Sequence, residues 1–354
     1  MNNLLALFTC LGLSSFSGTS STSLPHNTLA VPQYGVYAGA FMDFGDTEDD
    51  VSLEKILSFE ELAGKHQAIV ASSSYWGQQT FPRRNLDIIT NHGSVPIVYW
   101  SPWDKPYNQE RPPDRFSLDH ILNGDWNDYI DRWADAARRY GKPFFVAWGL
   151  EMNGTWFPWS GYWYPSHENG RNNPDYKAGV EKYKKAYRYV VDRVRARGAG
   201  NILWVFHVNN YSYPTDSWND FKNFYPGDNY VDWIGMSAYG KQFKKNNWVY
   251  FPDTMNYPYQ LLCQLSPDKP LMLAEWGVGQ FQEPKLKADF ISQALQDIPR
   301  KYPRIKAAVF WHERWENEDG TYSNLRLDSS LEAFQAFRKG MTRDPLWLSS
   351  PIWK

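Results

Sequence analysis

The sequence predicts a single α/β domain, a closed (β/α)8 TIM barrel. Eight short runs rich in β-branched and aromatic residues recur along the chain, helical patterns lie between them, and no shorter repeat appears. The runs span residues 34–42, 67–76, 95–103, 144–153, 202–209, 231–239, 271–277 and 305–315. They are almost continuously apolar rather than alternating, as parallel strands buried on both faces must be. A doubly wound open sheet is the runner-up topology. Against it, no Gly-rich phosphate fingerprint follows any of the eight runs.

The helical patterns are clearest at residues 126–140, 176–197, 285–298 and 331–341, where apolar residues recur at spacings of three and four. Gly93, Gly141 and Gly198 follow helical patterns directly, where a left-handed residue ends a helix before the next strand. The barrel is expected over residues 34–345, in keeping with the single-unit size of such folds. Residues 4–13 form a short apolar run, and the small polar stretch 14–23 follows it, so residues 1–23 read as a secretory signal. Ten apolar-biased residues are too few to span a bilayer. Residues 24–33 then read as a linker and 346–354 as a C-terminal tail. Cys10 falls inside the signal, which leaves Cys263 with no intramolecular disulfide partner.

Lys and Arg number 37 against 39 Asp and Glu, a formal net charge of −2, so nothing in the charge balance favours a polyanionic partner. Neither nucleic acid nor a membrane is expected as partner, and the chain reads as a monomer. The aromatic content is unusual: 18 Trp, 23 Tyr and 20 Phe make up 17% of the chain. Their flat faces suit pyranose rings, although a Trp outside a motif is as readily a core residue.

Barrel enzymes build their sites at the C-terminal ends of the strands. The fourth run carries Trp148-Gly-Leu-Glu151-Met-Asn153-Gly154 and the seventh Leu273-Ala-Glu275-Trp-Gly277. Each carboxyl stands alone among apolar and aromatic neighbours at a strand rim. Burial raises the pKa of a carboxyl meant to act as an acid, and a partner with more hydrogen-bond donors stays ionised and attacks; glycosidic cleavage needs this division. The structural alternative is a pair of Glu residues satisfied by an Arg across the barrel mouth.

The segments Glu151-Met-Asn-Gly-Thr-Trp-Phe-Pro-Trp159 and Leu273-Ala-Glu-Trp-Gly277 resemble the acid/base and nucleophile motifs of glycoside hydrolase family 26. The similarity continues through Tyr99-Trp-Ser-Pro-Trp103, Trp204-Val-Phe-His-Val-Asn209, Tyr225-Pro-Gly-Asp-Asn-Tyr-Val-Asp232 and Phe310-Trp-His-Glu313, so it covers roughly residues 34–341. The family contains β-1,4-mannanases, mixed-linkage β-glucanases and β-1,3-xylanases that retain anomeric configuration. The resemblance implies Glu151 as acid/base, Glu275 as nucleophile and Tyr239 as the hydroxyl that hydrogen-bonds the nucleophile. It implies Trp156, Trp311, Trp100 and Trp103 as sugar platforms and Asn209 as a further substrate contact. Two departures stand out. Leu150 occupies the place of a His that precedes the acid/base Glu, and Ser101 that of a His common in the mannanases.

The reaction so implied is endo-cleavage of the β-1,4-linked backbone of a plant-type polysaccharide, either β-mannan or mixed-linkage β-glucan, outside the cell. The alternative is a catalytically impaired barrel that binds carbohydrate, for which Leu150 is the main support. No cofactor and no metal are expected. The acidic stretch Asp46, Glu48, Asp49, Asp50 reads as solvated surface, and the seven His residues show no metal-type spacing. No Gly-x-Ser-x-Gly elbow of a serine esterase is present.

Overall fold

The computed structural model describes residues 28–104, 114–166, 175–281 and 283–354. The signal reading for residues 1–23, with Cys10, lies outside them. Eight parallel strands form the barrel: β1 (Val36–Phe41), β2 (Ile69–Tyr75), β3 (Val95–Ser101), β4 (Phe144–Trp148), β5 (Ile202–Asn209), β6 (Trp233–Tyr239), β7 (Leu271–Gly277) and β8 (Ile305–Trp311). Each pairs with the next, and β8 returns to β1 through Tyr37↔Ala307 to Phe41↔Trp311, so the sheet closes. Closure removes the free edges that an open sheet would have to protect.

The helices are α1 (Leu53–Ala63), α2 (Arg83–Asn91), α3 (Leu118–Asn123), α4 (Asn127–Tyr140), α5 (Lys177–Ala196), α6 (Phe251–Leu265), α7 (Pro284–Lys301) and α8 (Leu331–Arg343). The alternation departs from the expected one between β5 and β6. There, residues 210–232 contain no α-helix and cross through the 3-10 turns Ser217–Asn219, Phe221–Phe224 and Asp228–Tyr230. Pro214, Pro226 and Gly227 punctuate this stretch, and a proline has no N–H to continue an α-helix. α3 and α4 together cover the β3 crossover.

Two strands end earlier than their apolar runs suggest. β4 stops at Trp148, yet Leu150 and Met152 beyond it are buried. Apolar character continues there because the loop is packed, not because the strand goes on. The last run likewise divides at Trp311, after which β9 (Arg314–Glu316) and β10 (Tyr322–Asn324) pair as an antiparallel hairpin.

β7 carries an irregularity that bears on the site. Met236 of β6 faces Leu273, but the next residue, Ser237, faces Glu275, so Ala274 is the extra residue of a bulge. The register with β8 shifts over the same stretch. The Ala274 carbonyl is taken up across the barrel by the Tyr99 hydroxyl at 2.7 Å.

The first and last described segments pair with the rest of the fold. Within the segment read as a tail, β11 (Trp347–Leu348) runs parallel to β1 with Val36↔Trp347 in register, and Trp347 is buried with its indole N–H on the Leu295 carbonyl. Leu29, in the expected linker, bridges Trp353 antiparallel. No helix among the described residues is long and apolar enough to cross a membrane.

Candidate active site

Glu151 follows β4 in a turn that only a short list of residues tolerates. Gly149 has φ +57° and Glu151 itself φ +50°, left-handed values rare for a residue with a side chain. Such strain persists where the surroundings hold it. Here the Glu151 N–H donates to the His207 carbonyl at 2.8 Å, and the Gly149 carbonyl accepts from the Tyr183 hydroxyl at 2.8 Å. The turn lifts the carboxyl over the barrel mouth and delivers it to three donors. The Trp156 indole N–H reaches Oε2 at 2.7 Å, the Asn209 amide reaches Oε1 at 2.9 Å, and the Ser237 hydroxyl also donates. A Cβ at Gly154 would collide with the Trp156 ring, so the glycine lets the indole lie against the turn.

Glu275, re-aimed by the β7 bulge, accepts from the Tyr239 hydroxyl at 2.7 Å. Both carboxyls are buried. Burial pushes Glu151 above the ordinary carboxylate range, against the pull of its three donors. Glu275 is pushed up further, by burial and then by the charge of Glu151, with Glu48 and Glu313 adding to it. Donor count thus differs from the sequence-based expectation: Glu151 has the richer set. Both carboxyls are thus harder to ionise than isolated ones, Glu275 the more so because the Glu151 charge adds to its burial. Tyr239 is itself held well above its ordinary value by burial and by Glu275, and so remains a donor.

The structure brings Glu151, Glu275, Tyr239, Asn209 and Trp156 together at the mouth. Asn209 lies on Glu151, and its carbonyl and N–H are tied to the Asn153 side chain at 2.9 Å each. Trp156 is 43% exposed and offers an open face beside Glu151. Trp311 is stacked on Phe41 at 4.1 Å, with its N–H on Glu313 at 2.7 Å.

Trp100 is not part of the site. Side chains alternate along a strand, and because Tyr99 points across the barrel, Trp100 must point out of it. It stacks on Trp133 of α4 at 3.9 Å and donates to the Tyr129 hydroxyl at 2.9 Å. Trp103 is buried edge-on against Phe157 and Trp159 and presents no open face.

Sequence reasoning missed several groups here. Glu48 is buried, contrary to the surface reading, and accepts from the Ser73 hydroxyl at 2.6 Å and the Tyr75 hydroxyl at 3.1 Å. Glu313 is pushed up to about 8 by burial and by Glu48. His207, pushed down to about 3 by burial, is neutral and joins the Ser237 hydroxyl at 2.7 Å. Glu48 stood among other acids in one loop, and nothing in the sequence marked it as the buried one. The fold also unites Glu60, His66 and His92, far from the mouth, although no sequence spacing announced them.

The profile of Glycosyl hydrolase family 26 matches residues 117–290. Endoglucanase H of Acetivibrio thermocellus is 32% identical over 308 residues, covering 84% of this chain and 30% of that protein. A mannan endo-1,4-beta-mannosidase of Bacillus subtilis strain 168 is 32% identical over 246 residues, covering 68% of this chain and 58% of its own. The chain thus spans less than two thirds of the length of either relative. A solved family 26 β-mannanase from Bacteroides ovatus shares the fold with a TM-score of 0.62 at 17% identity, over 89% of this chain and 90% of that one.

Proposed function

Because the chain belongs to glycosyl hydrolase family 26, we propose that it is a secreted, endo-acting, retaining β-glycanase in which Glu151 is the acid/base and Glu275 the nucleophile. The observation that carries this reading is the pair of buried carboxyls at the rims of β4 and β7, one held by Tyr239 and the other by Trp156 and Asn209. In the first step a Glu275 oxygen bonds to the anomeric carbon while the Glu151 proton passes to the departing sugar oxygen. In the second, water gives its proton to Glu151 and its oxygen displaces Glu275, restoring both groups. Tyr239 steadies the ionised nucleophile. Trp156 supplies a ring face for a sugar next to the scissile bond.

Between the two substrates, mixed-linkage or related β-glucan is the better supported: the relative named as an endoglucanase aligns over 84% of this chain and the mannosidase over 68%. Leu150 and Ser101, where polar His residues are common in mannanases, point the same way. A polysaccharide backbone does not cross a cell membrane before it is cut, which supports an extracellular site of action.

Reducing-sugar release from barley β-glucan and konjac glucomannan tests substrate and turnover together. Glu275→Ala should abolish release from every substrate. Glu151→Ala should cripple polysaccharide cleavage yet spare glycosyl-enzyme formation from an aryl glycoside whose leaving group needs no proton, with azide rescuing the second step. Near-normal rates in both variants would show the pair to be misassigned. Binding without release by the wild type would favour the carbohydrate-binding alternative.

A further inference from the structure

Glu60, His66 and His92 converge where the proposed reaction has no use for them. Glu60 lies in the last turn of α1, His66 in the short connection to β2, and His92 closes α2 ahead of β3. All three stand at the N-terminal ends of the strands, the pole opposite the mouth. Glu60 Oε1 is 2.9 Å from His66 Nδ1, and Oε2 is 3.0 Å from His92 Nε2. The two imidazole centroids are 4.7 Å apart, and one donor atom from each of the three residues lies within 4.8 Å of the others. None of the three is fully buried, so solvent can complete a coordination shell.

Two imidazole nitrogens and a carboxylate oxygen are the donor set of three-ligand zinc sites whose fourth position is water. The hydrogen-bond pattern adds a second, independent argument. His66 also bonds the Gly93 backbone, and with that bond in place its Nδ1 faces Glu60 Oε1 at 2.9 Å. A metal-bound histidine holds its far N–H on a carbonyl in this manner. Glu60 also accepts from the Gln67 N–H at 2.8 Å, which fixes its carboxyl between the two rings.

We propose that Glu60, His66 and His92 form a binding site for a divalent transition-metal ion of the zinc type, which fastens α1 to the chain entering β3. Binding places the metal on Nδ1 of His66, Nε2 of His92 and a Glu60 oxygen, and the protons those two nitrogens donate to Glu60 leave, each to solvent or to the far nitrogen of its own ring. The ion's role is structural, since it lies at the far pole from the carboxyl pair, and a ligand bound only by the folded chain raises its stability by mass action.

The test uses the full chain, stripped with a chelator and titrated with Zn2+. The expected result is one equivalent retained per chain after dialysis, a raised thermal midpoint, and a rate on polysaccharide that does not change. The double variant His66→Gln/His92→Gln should lose both retention and the rise. No retained zinc, or equal retention in the double variant, would overturn the site; a rate that tracked the metal would overturn its structural role. Should the double variant fold poorly, Co2+-loaded wild type decides the matter. A visible d–d spectrum displaced by Zn2+ supports the site, and its absence sinks it.

Discussion

Four carboxyl groups are buried at one end of this barrel, Glu48, Glu151, Glu275 and Glu313; the other three make Glu275 harder to ionise, and Glu48 does the same to Glu313. Glu275 sits at the focus of that repulsion, and the Tyr239 hydroxyl offsets it in part. Replacing that hydroxyl in Tyr239→Phe pushes Glu275 up further, so the acid limb of the kcat/KM profile should move to higher pH. The lost charge-assisted bond, about 1.5–3 kcal/mol, should lower the plateau on the order of ten- to a hundred-fold. An unmoved acid limb would remove Tyr239 from the nucleophile's support. Stability responds in the opposite sense to activity. Because Glu275 is raised in the folded state, the folded protein binds a proton there that the unfolded chain has released, and stability falls as pH rises from the ordinary carboxylate range toward the raised value. Glu275→Gln should therefore raise the thermal midpoint, and more at roughly pH 7 than at roughly pH 5. An equal or lower midpoint at both pH values would show that the repulsion is relieved elsewhere. The two Glu residues were legible in the sequence because each stands alone in an apolar run. Glu48 was not, since burial of one acid among several neighbours depends on hydroxyls from β2 that only the closed sheet supplies.

At the scale of the element, the β7 bulge turns an ordinary strand into a mount for Glu275. The bulge frees the Ala274 carbonyl in the barrel interior, and Tyr99 from β3 satisfies it. Tyr99→Phe leaves that carbonyl buried without its donor, at a cost of about 1–3 kcal/mol. We expect kcat to fall with KM little changed, because the nucleophile's aim suffers and the rings that hold sugar do not. A variant with normal kcat would mean the bulge holds without Tyr99. Strand existence and order were readable from apolar runs, whereas the bulge was not, because an extra residue changes no hydrophobic period. The same blindness explains Trp100. Its motif suggested a sugar platform, but strand alternation gives the interior to Tyr99 and sends the indole to α4, and which of two adjacent aromatics faces inward is settled only by register. The missing helix between β5 and β6 was foreshadowed by Pro214, Pro226 and Gly227, and regular alternation elsewhere concealed it.

For the molecule as a whole, closure does not end with the eighth strand. Trp347 lies against β1 beneath α7, and truncating it to Ala should cost about 3–5 kcal/mol, as for other buried large side chains, read as a fall in the denaturation midpoint. A loss below about 1 kcal/mol would show the segment to be dispensable. Nothing in residues 346–354 alone foretold this, for two residues are too few to show a period. Beyond them, Thr28 and Lys354 exchange backbone hydrogen bonds at 3.3 and 2.9 Å, so the first and last described residues are neighbours. Topologically the stretch from Thr28 to Lys354 is nearly a ring with a single cut. The position of that cut is then a matter of convention rather than architecture. Join Thr28 to Lys354 through a few flexible residues, reopen the chain at the exposed Gly320 turn, and the same barrel should assemble from a permuted order with its mouth unchanged.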